Sequence, residues 1–245
     1  MKTITSVVNC AFSKGITLER WCKVQNILLE KDPNDPKLHR LRIIHIIEAD
    51  YNLATKIYWA RRLMRKAEKA NALCDSNWGS RKGRSAQDVS IVKELQYEIT
   101  HLSLNEFATM ENDAKSCYDR MVPSLIMLVS RSFGVKSSVC RSVGRTFKLT
   151  KHHVATKNGI SKAHFGYTDE EPIFRSWQGA TKSVVSWALT SSIIQEIHSE
   201  EVKGAVFQST EGDMTQLMVG FVDDNNNCVT QDEERENITN LLQRS

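Results

Sequence analysis

The sequence predicts an α+β fold, and three features predict it. Apolar residues recur at helical spacing over 49–73, 88–103 and 182–198. Two stretches read as strands that end on acids: Phe107 to Asp113, and the alternating run Leu217 to Val222 ahead of Asp223 and Asp224. No repeat or long low-complexity linker interrupts this order, so at 245 residues the chain can bury a full core as one domain of mixed helix and strand.

Taken in order, residues 14–30 place Ile16, Leu18, Trp21, Val24, Ile27 and Leu28 at helical spacing, and Asp32 to Pro36 stops that helix. Leu41 to Ile47 is apolar enough for a strand. A long helix follows from Ala49 towards Leu73, with Leu53, Ile57, Ala60, Leu63, Met64 and Ala67 marking one face. The next spans Asp88 to Ser103 and turns Val92, Leu95, Ile99 and Leu102 inward. The extended stretch from Phe107 reaches Asp113 and then turns helical. Pro123, at a first-turn position, opens a helix through Ser130 that ends near Gly134. Residues 182–198 form another, with Val184, Val185, Ala188, Leu189, Ile193 and Ile197 available for burial. The alternation at 217–222, the turn chemistry of Asn225 to Asn227, and Cys228-Val229 predict a β-hairpin with acids at its tip. Thr230 and Glu233 supply a capping box for a last helix carrying Ile238, Leu241 and Leu242.

Composition excludes more than it assigns. A formal charge of +4 at pH 7 is too small to argue for nucleic-acid binding. Its distribution says more: Lys56, Arg61, Arg62, Arg65, Lys66, Lys69, Arg81, Lys82 and Arg84 face only Glu68 and Asp75, which suits either a surface that follows a phosphate backbone or a solvated helix face. The cysteines at 10, 22, 74, 117, 140 and 228 form no CxxC pair, which argues against zinc and for intracellular thiols, without resolving nucleus from cytoplasm. His152-His153 reads as a surface pair in a loop. No run approaches the roughly 18 apolar residues that span a bilayer.

Two adjacent acids at a strand end are costly unless something cationic occupies them, and Asp113 adds a third carboxylate presented in the same way. Carboxylates from different strands can hold two divalent ions about 3.5–4 Å apart, an arrangement suited to in-line phosphoryl displacement.

Taken in order, several blocks resemble the reverse transcriptases of non-LTR (LINE-type) retrotransposons, from about Phe12 to Thr230. Phe12 to Trp21 and Lys37 to Ile44 are similar to the entry to the fingers, and Trp78 to Ser85 to the following fingers motif. Asp113 to Asp119 matches the first palm motif, Gln178-Gly179 the core of the second, and Phe221 to Asp224 the third. Two positions depart from the family: Trp177 stands where glycine is common and Val184 where proline is.

The resemblance implies right-hand fingers (mainly 1–106) and palm (mainly 107–245), with an antiparallel palm sheet backed by helices. It places the end at Ser245 before a thumb. It also implies RNA-directed DNA synthesis with Mg²⁺ or Mn²⁺ on Asp113, Asp223 and Asp224, and an RNA template, a DNA primer and dNTPs as partners. Tyr118 would lie beneath the incoming sugar and exclude a 2′-OH. Lys37, Arg40 or Arg42 would approach the triphosphate, Arg42 foremost; Gln178 and Gly179 would border the nucleotide, with Gly179 letting main chain pass close to the base pair. Gly79, Arg81 and Arg84 would grip the template. Two alternatives stay open: a non-catalytic relic that binds nucleic acid, and RNA-dependent RNA synthesis, against which Tyr118 and the fingers motifs count.

Overall fold

The computed structural model describes residues 2–31, 37, 40–104, 106–202, 204–207 and 212–230. Helix α1 (Lys2–Lys14) leads through a 3₁₀ turn (Glu19–Cys22) into β1 (Lys23–Glu30) and then β2 (Leu41–Ile46). Three abutting helical stretches follow: α2 (Ala49–Thr55), a π-wound segment (Lys56–Met64) and α3 (Arg65–Lys69). Next come α4 (Ala86–Ser103), β3 (Phe107–Asp113), α5 (Cys117–Arg120), α6 (Pro123–Ser132), α7 (Ser137–Leu149), β4 (Lys151–Thr156), β5 (Gly159–Ile160) and β6 (Phe165–Gly166). The order closes with α8 (Thr181–Glu201), β7 (Ala205–Phe207), β8 (Met214–Gln216), β9 (Met218–Phe221) and β10 (Asp224–Thr230). The expected helix stop at Asp32 to Pro36 and the last helix beyond Thr230 lie outside the described residues.

The chain divides into two compact units, each discontinuous in sequence: Met1–Ala70 with Ser116–Trp187, and Asn71–Lys115 with Ala188–Ser245. In the first, the sheet runs β2-β1-β4-β5, with β6 also on β4. Strand β1 pairs antiparallel with β2 (Gln25↔Ile46) and parallel with β4 (Lys23↔Lys151). A helix over 14–30 is therefore overturned. Val24 and Ile27 satisfy either period, and neighbours on both sides satisfy the β1 backbone as fully as a helix would. The helix of this region lies earlier, as α1.

Aromatic rings fill the first unit. Trp21 stands 5.1 Å from Tyr51, Tyr51 6.1 Å from Trp177, and Trp177 4.5 Å from Phe147. Trp177 is buried, so the bulk that departs from the family sits in this core. Lys182 is also fully buried, its ammonium 3.8 Å from the Phe147 ring centre and 5.0 Å from that of Trp177, with no hydrogen-bond partner. Burial pushes its pKa down from 10.5 to about 7. His152, expected in a surface loop, is instead a buried β4 residue; its Nδ1–H donates to Asn26 Oδ1 (3.3 Å), and its ring stacks on Phe165 at 5.1 Å.

In the second unit β3, β10 and β9 form one sheet and β7 and β8 a two-stranded ribbon. Helix α4 starts at a capping box in which Ser85 Oγ accepts from the Asp88 N–H and the Asp88 side chain accepts from the Ser85 N–H. Its expected inward face is not the observed one. Leu95 and Leu102 are 55% and 79% exposed, whereas Gln96 and Thr100 are buried. Gln96 Nε2 reaches Cys228 Sγ at 3.8 Å, so the buried side of the helix meets the sheet through a polar contact. In α8, Val185, Ala188 and Leu189 are buried as expected, while Val184 and Ile197 are exposed. All six cysteines are free thiols, and among the described residues no helix is long and apolar enough to cross a membrane.

Candidate active site

Strands β3 and β10 pair antiparallel from Phe107↔Thr230 to Asp113↔Asp224, and β10 pairs β9 through Phe221↔Asp224. Asp224 therefore sits directly across the ladder from Asp113, with Val222 and Asp223 as a two-residue turn between β9 and β10. The Asp223 carbonyl accepts from the Ala114 N–H at 2.9 Å, fastening the turn to the end of β3. Asn225 to Asn227, expected to supply the turn, lie within β10, where Asn226 and Asn227 are buried. The turn is tighter than expected and holds Val222 at φ +59°, a conformation that costs a β-branched residue about 1–2 kcal/mol.

The fingers-like segment 76–79 buttresses this hairpin. The Gly220 N–H donates to the Ser76 carbonyl (2.8 Å), and the Trp78 N–H donates to the Gly220 carbonyl (2.7 Å). A Cβ on Gly79 would stand 2.3 Å from the Val222 nitrogen, so only glycine allows this approach. On the next residue of β10, Asn225 Oδ1 accepts from Gln195 Nε2 of α8 at 3.1 Å.

Because strand side chains alternate, Glu111 and Asp113 share one face of β3, opposite Asn226 and Asp224 on β10. A cavity of about 440 Å³ between this face and α4 is lined by Ser90 and Lys93 as well as these acids. Lys93 Nζ pairs with Glu111 Oε1 at 2.5 Å, and Asn226 Nδ2 donates to the same oxygen at 3.4 Å. Lys93 holds the Glu111 carboxyl below its ordinary range. The Asp224 carboxyl is raised, first by partial desolvation and then by the charges of Asp223, Asp113 and Glu111, with Lys93 opposing.

Among the described residues no three His, Cys, Asp or Glu side chains converge into a ready metal cage. The donor set nonetheless fits Mg²⁺ or Mn²⁺. All donors are hard carboxylate oxygens, their mutual repulsion is visible at Asp224, and Mg²⁺ takes one or two carboxylates plus water and phosphate rather than a closed protein shell.

The residues expected around the nucleotide belong to the first unit. The Ser176 N–H donates to the Tyr118 carbonyl (2.6 Å), and the His45 N–H of β2 donates to the Gln178 carbonyl (2.7 Å). Gly179, at φ +110°, leaves no room for a Cβ, which would lie 2.7 Å from the His45 carbonyl oxygen. The close approach it permits is thus to β2, the strand that carries exposed Arg42. Lys37 and Arg40 precede that strand, joined by an Arg40 N–H to Lys37 carbonyl bond of 2.8 Å.

Behind this loop stands a cluster of Arg175, His45, His152 and Asp119 that no sequence motif marks. Arg175 Nη1 donates to His45 Nε2 (3.2 Å), and His45 Nδ1–H donates to the Gln178 carbonyl (3.3 Å), the arrangement of a neutral imidazole. Burial and the Arg175 charge push His45 down to about 4 and His152 to about 3. Asp119 is raised by burial, with Arg175 opposing. Arg175 lies three residues before Gln178; the one available signal was a lone basic residue entering the second palm motif.

No protein-family model matches the chain, and no curated protein matches it. Solved structures do. Telomerase from Candida albicans in complex with a TWJ fragment of telomeric RNA superposes with a TM-score of 0.55 at 12% identity, over 92% of this chain and 39% of that one. Telomerase from Candida tropicalis with the same kind of RNA fragment gives 0.54 at 12%, over 95% and 40%. The apo Candida tropicalis enzyme gives 0.51 at 11%, over 95% and 44%. The fold is telomerase-like. This chain spans about two fifths of the length of those telomerases, and its mixed α+β architecture, with sheets backed by helices, is that of their fingers and palm.

Within the telomerase-like fold the basic residues divide into two kinds. Lys56, Arg61, Arg62, Arg65, Lys66 and Lys69 are exposed around the helical stretch of the first unit, whose buried side carries Trp59, Leu63, Met64 and Ala67. In the second unit Arg81 Nη1 donates to the carbonyls of Cys74 (2.9 Å) and Asn77 (3.1 Å), and Arg84 Nη1 to that of Asp75 (2.6 Å), while the Arg84 guanidinium covers Trp78 at 4.9 Å. Arg81 and Arg84 thus brace the loop that carries Gly79.

Proposed function

We propose that this chain is the fingers-and-palm part of a reverse transcriptase that extends a DNA primer on an RNA template, and that it derives from a non-LTR retrotransposon. One observation carries the polymerase reading: Asp113 and Asp224 face each other across the β3–β10 ladder, with Asp223 in the adjoining turn. The telomerase-like fold supports it, and telomerases of that fold are seen in complex with RNA. The retrotransposon origin rests on the sequence blocks alone.

In this reading Asp113, Asp223 and Asp224 hold Mg²⁺ or Mn²⁺. Bound there, the ions supply activation of the primer 3′-OH and neutralise the leaving pyrophosphate. The ladder holds Asp113 and Asp224 in fixed register, so little reorganisation is needed when substrate arrives. Tyr118 takes the role of sugar discriminator, Gln178 and Gly179 border the nucleotide, and Arg42 meets the triphosphate with a charge-assisted contact, Lys37 and Arg40 being the other candidates. Gly79, with its bracing arginines, keeps the acid turn in place and is assigned to the template side.

The test is primer extension by the purified chain on an RNA template with a DNA primer, in Mg²⁺ and in Mn²⁺, offering dNTPs or rNTPs. Extension with dNTPs that is lost in Asp223→Ala is expected. Salt-sensitive RNA binding without extension would replace the enzyme with a nucleic-acid-binding relic, and extension that survives Asp223→Ala would overturn the assignment of the acids.

A further inference from the structure

We propose that Lys93 is a resident counter-ion of the acid-bearing face, competing with the divalent cation and so setting how much cation the site requires. The inference rests on the polymerase reading above.

Its basis is placement. Asp113 and Asp224 make one rung of the β3–β10 ladder, and Glu111 and Asn226 make another on the same face. The face thus carries Glu111 in addition to Asp113 and Asp224. The cavity over these rungs is closed on its far side by α4, and the cation that α4 sends into it is Lys93, paired with Glu111. Asn226 holds the same Glu111 oxygen from the opposite strand.

An exposed lysine–glutamate pair is ordinarily worth little to stability. This one shares its cavity with Asp113 and Asp224, so its effect falls on whatever charge enters there. While Lys93 is present, Glu111 is neutralised and the lysine repels a divalent ion. Without it, the same cavity presents one more uncompensated negative charge. A fixed charge lining the same cavity acts on a doubly charged ion with twice the energy of a monovalent pair at the same distance.

Two substitutions should therefore act in opposite directions. Lys93→Met should lower the half-saturating Mn²⁺ concentration by about tenfold, and Glu111→Gln should raise it by a similar factor. Lys93→Arg, which keeps the charge, should match the parent. Damage to the fold would weaken binding in both of the first two variants and could not produce opposite signs.

The measurement is titration of the full chain with Mn²⁺, following free Mn²⁺ by electron paramagnetic resonance at low ionic strength, with Asp224→Asn as reference. Tighter binding in Lys93→Met together with weaker binding in Glu111→Gln is the expected result. Uptake that depends on Asp224 but is unchanged or weakened in Lys93→Met would overturn the counter-ion proposal alone. Equal uptake by the parent chain and Asp224→Asn would overturn both the proposal and the metal assignment beneath it.

Discussion

Replacing Lys182 by methionine should stabilise the first unit, and the size of the gain can be worked out. Lys182 is fully buried between Phe147 and Trp177, its ammonium has no hydrogen-bond partner, and its pKa falls from 10.5 to about 7. A fall of about 3.5 units, at about 1.4 kcal/mol each, corresponds to a cost on the order of 5 kcal/mol for carrying the charged lysine at pH 7 and below. The ring contacts return about 1–2 kcal/mol of this. Methionine keeps an unbranched apolar stem and loses the ammonium, so Lys182→Met should gain about 3–4 kcal/mol at pH 7. Between pH 7 and 10 the unfolded chain keeps a proton that the folded chain has released, so parental stability rises with pH across that window and the variant lacks this slope. The gap between the two is therefore full at pH 7 and narrows towards pH 10. Urea unfolding followed by tryptophan fluorescence reads the right unit, because Trp21, Trp59, Trp177 and Trp187 belong to it and Trp78 alone to the other. The midpoint should move by about 1–2 M at pH 7. Equal midpoints at pH 7, or a gap of the same size at pH 7 and pH 9.5, would refute the reasoning.

Gly79→Ala forces a Cβ to within 2.3 Å of the Val222 nitrogen and should destabilise the second unit by about 2 kcal/mol or more, seen as faster amide exchange at the β9–β10 turn; unchanged exchange would remove Gly79 from the support of the acids. Tyr118→Ala should admit ribonucleotides in primer extension, and sugar selectivity equal to that of the parent would argue against its assigned role. His45 and His152 are neutral in the fold and titrate near 4 and 3, below the ordinary 6.5, so the stability they contribute is present above pH 6.5 and is lost as pH falls towards 4. The first unit should accordingly unfold on acidification, and His152→Gln should flatten that dependence; an unchanged acid limb would count against the cluster as its cause.

The placement of Asp113, Asp223 and Asp224 at strand ends was legible because the stretches ahead of them read as extended. Leu217 to Val222 and Phe107 to Asp113 both read as extended runs that end at acids, and strands β3 and β10 meet in register. The helices at Ala49, Pro123 and Thr181 were legible from local sequence in the same way. Strand β1 was not, since Val24 and Ile27 fit a helix as well as a strand and its deciding partner, β4, is remote in sequence. Asn225 to Asn227 look like a turn by composition, yet the ladder to β3 holds them extended and leaves Val222, a poor turn residue, to take the positive φ. Helix α4 buries Gln96 and Thr100 and shows much of its apolar stripe to solvent, and the sheet contact of Gln96 to Cys228 is something no periodicity reports. His152 is buried because Asn26 partners it from another strand. In each case the missing information was a partner distant along the chain.

That remoteness governs how the protein is made. Strand β1 gains its parallel neighbour only when Lys151 has been synthesised, and Asp113 meets its opposite number only when Asp224 has. Neither unit can close from a contiguous stretch of chain, so both wait on late-arriving segments and fold slowly for their size. During that wait β1 offers an open edge to any passing strand. A polypeptide severed between Lys115 and Ser116 would leave each half with part of both sheets' partners missing, and neither half would recover its structure until mixed with the other.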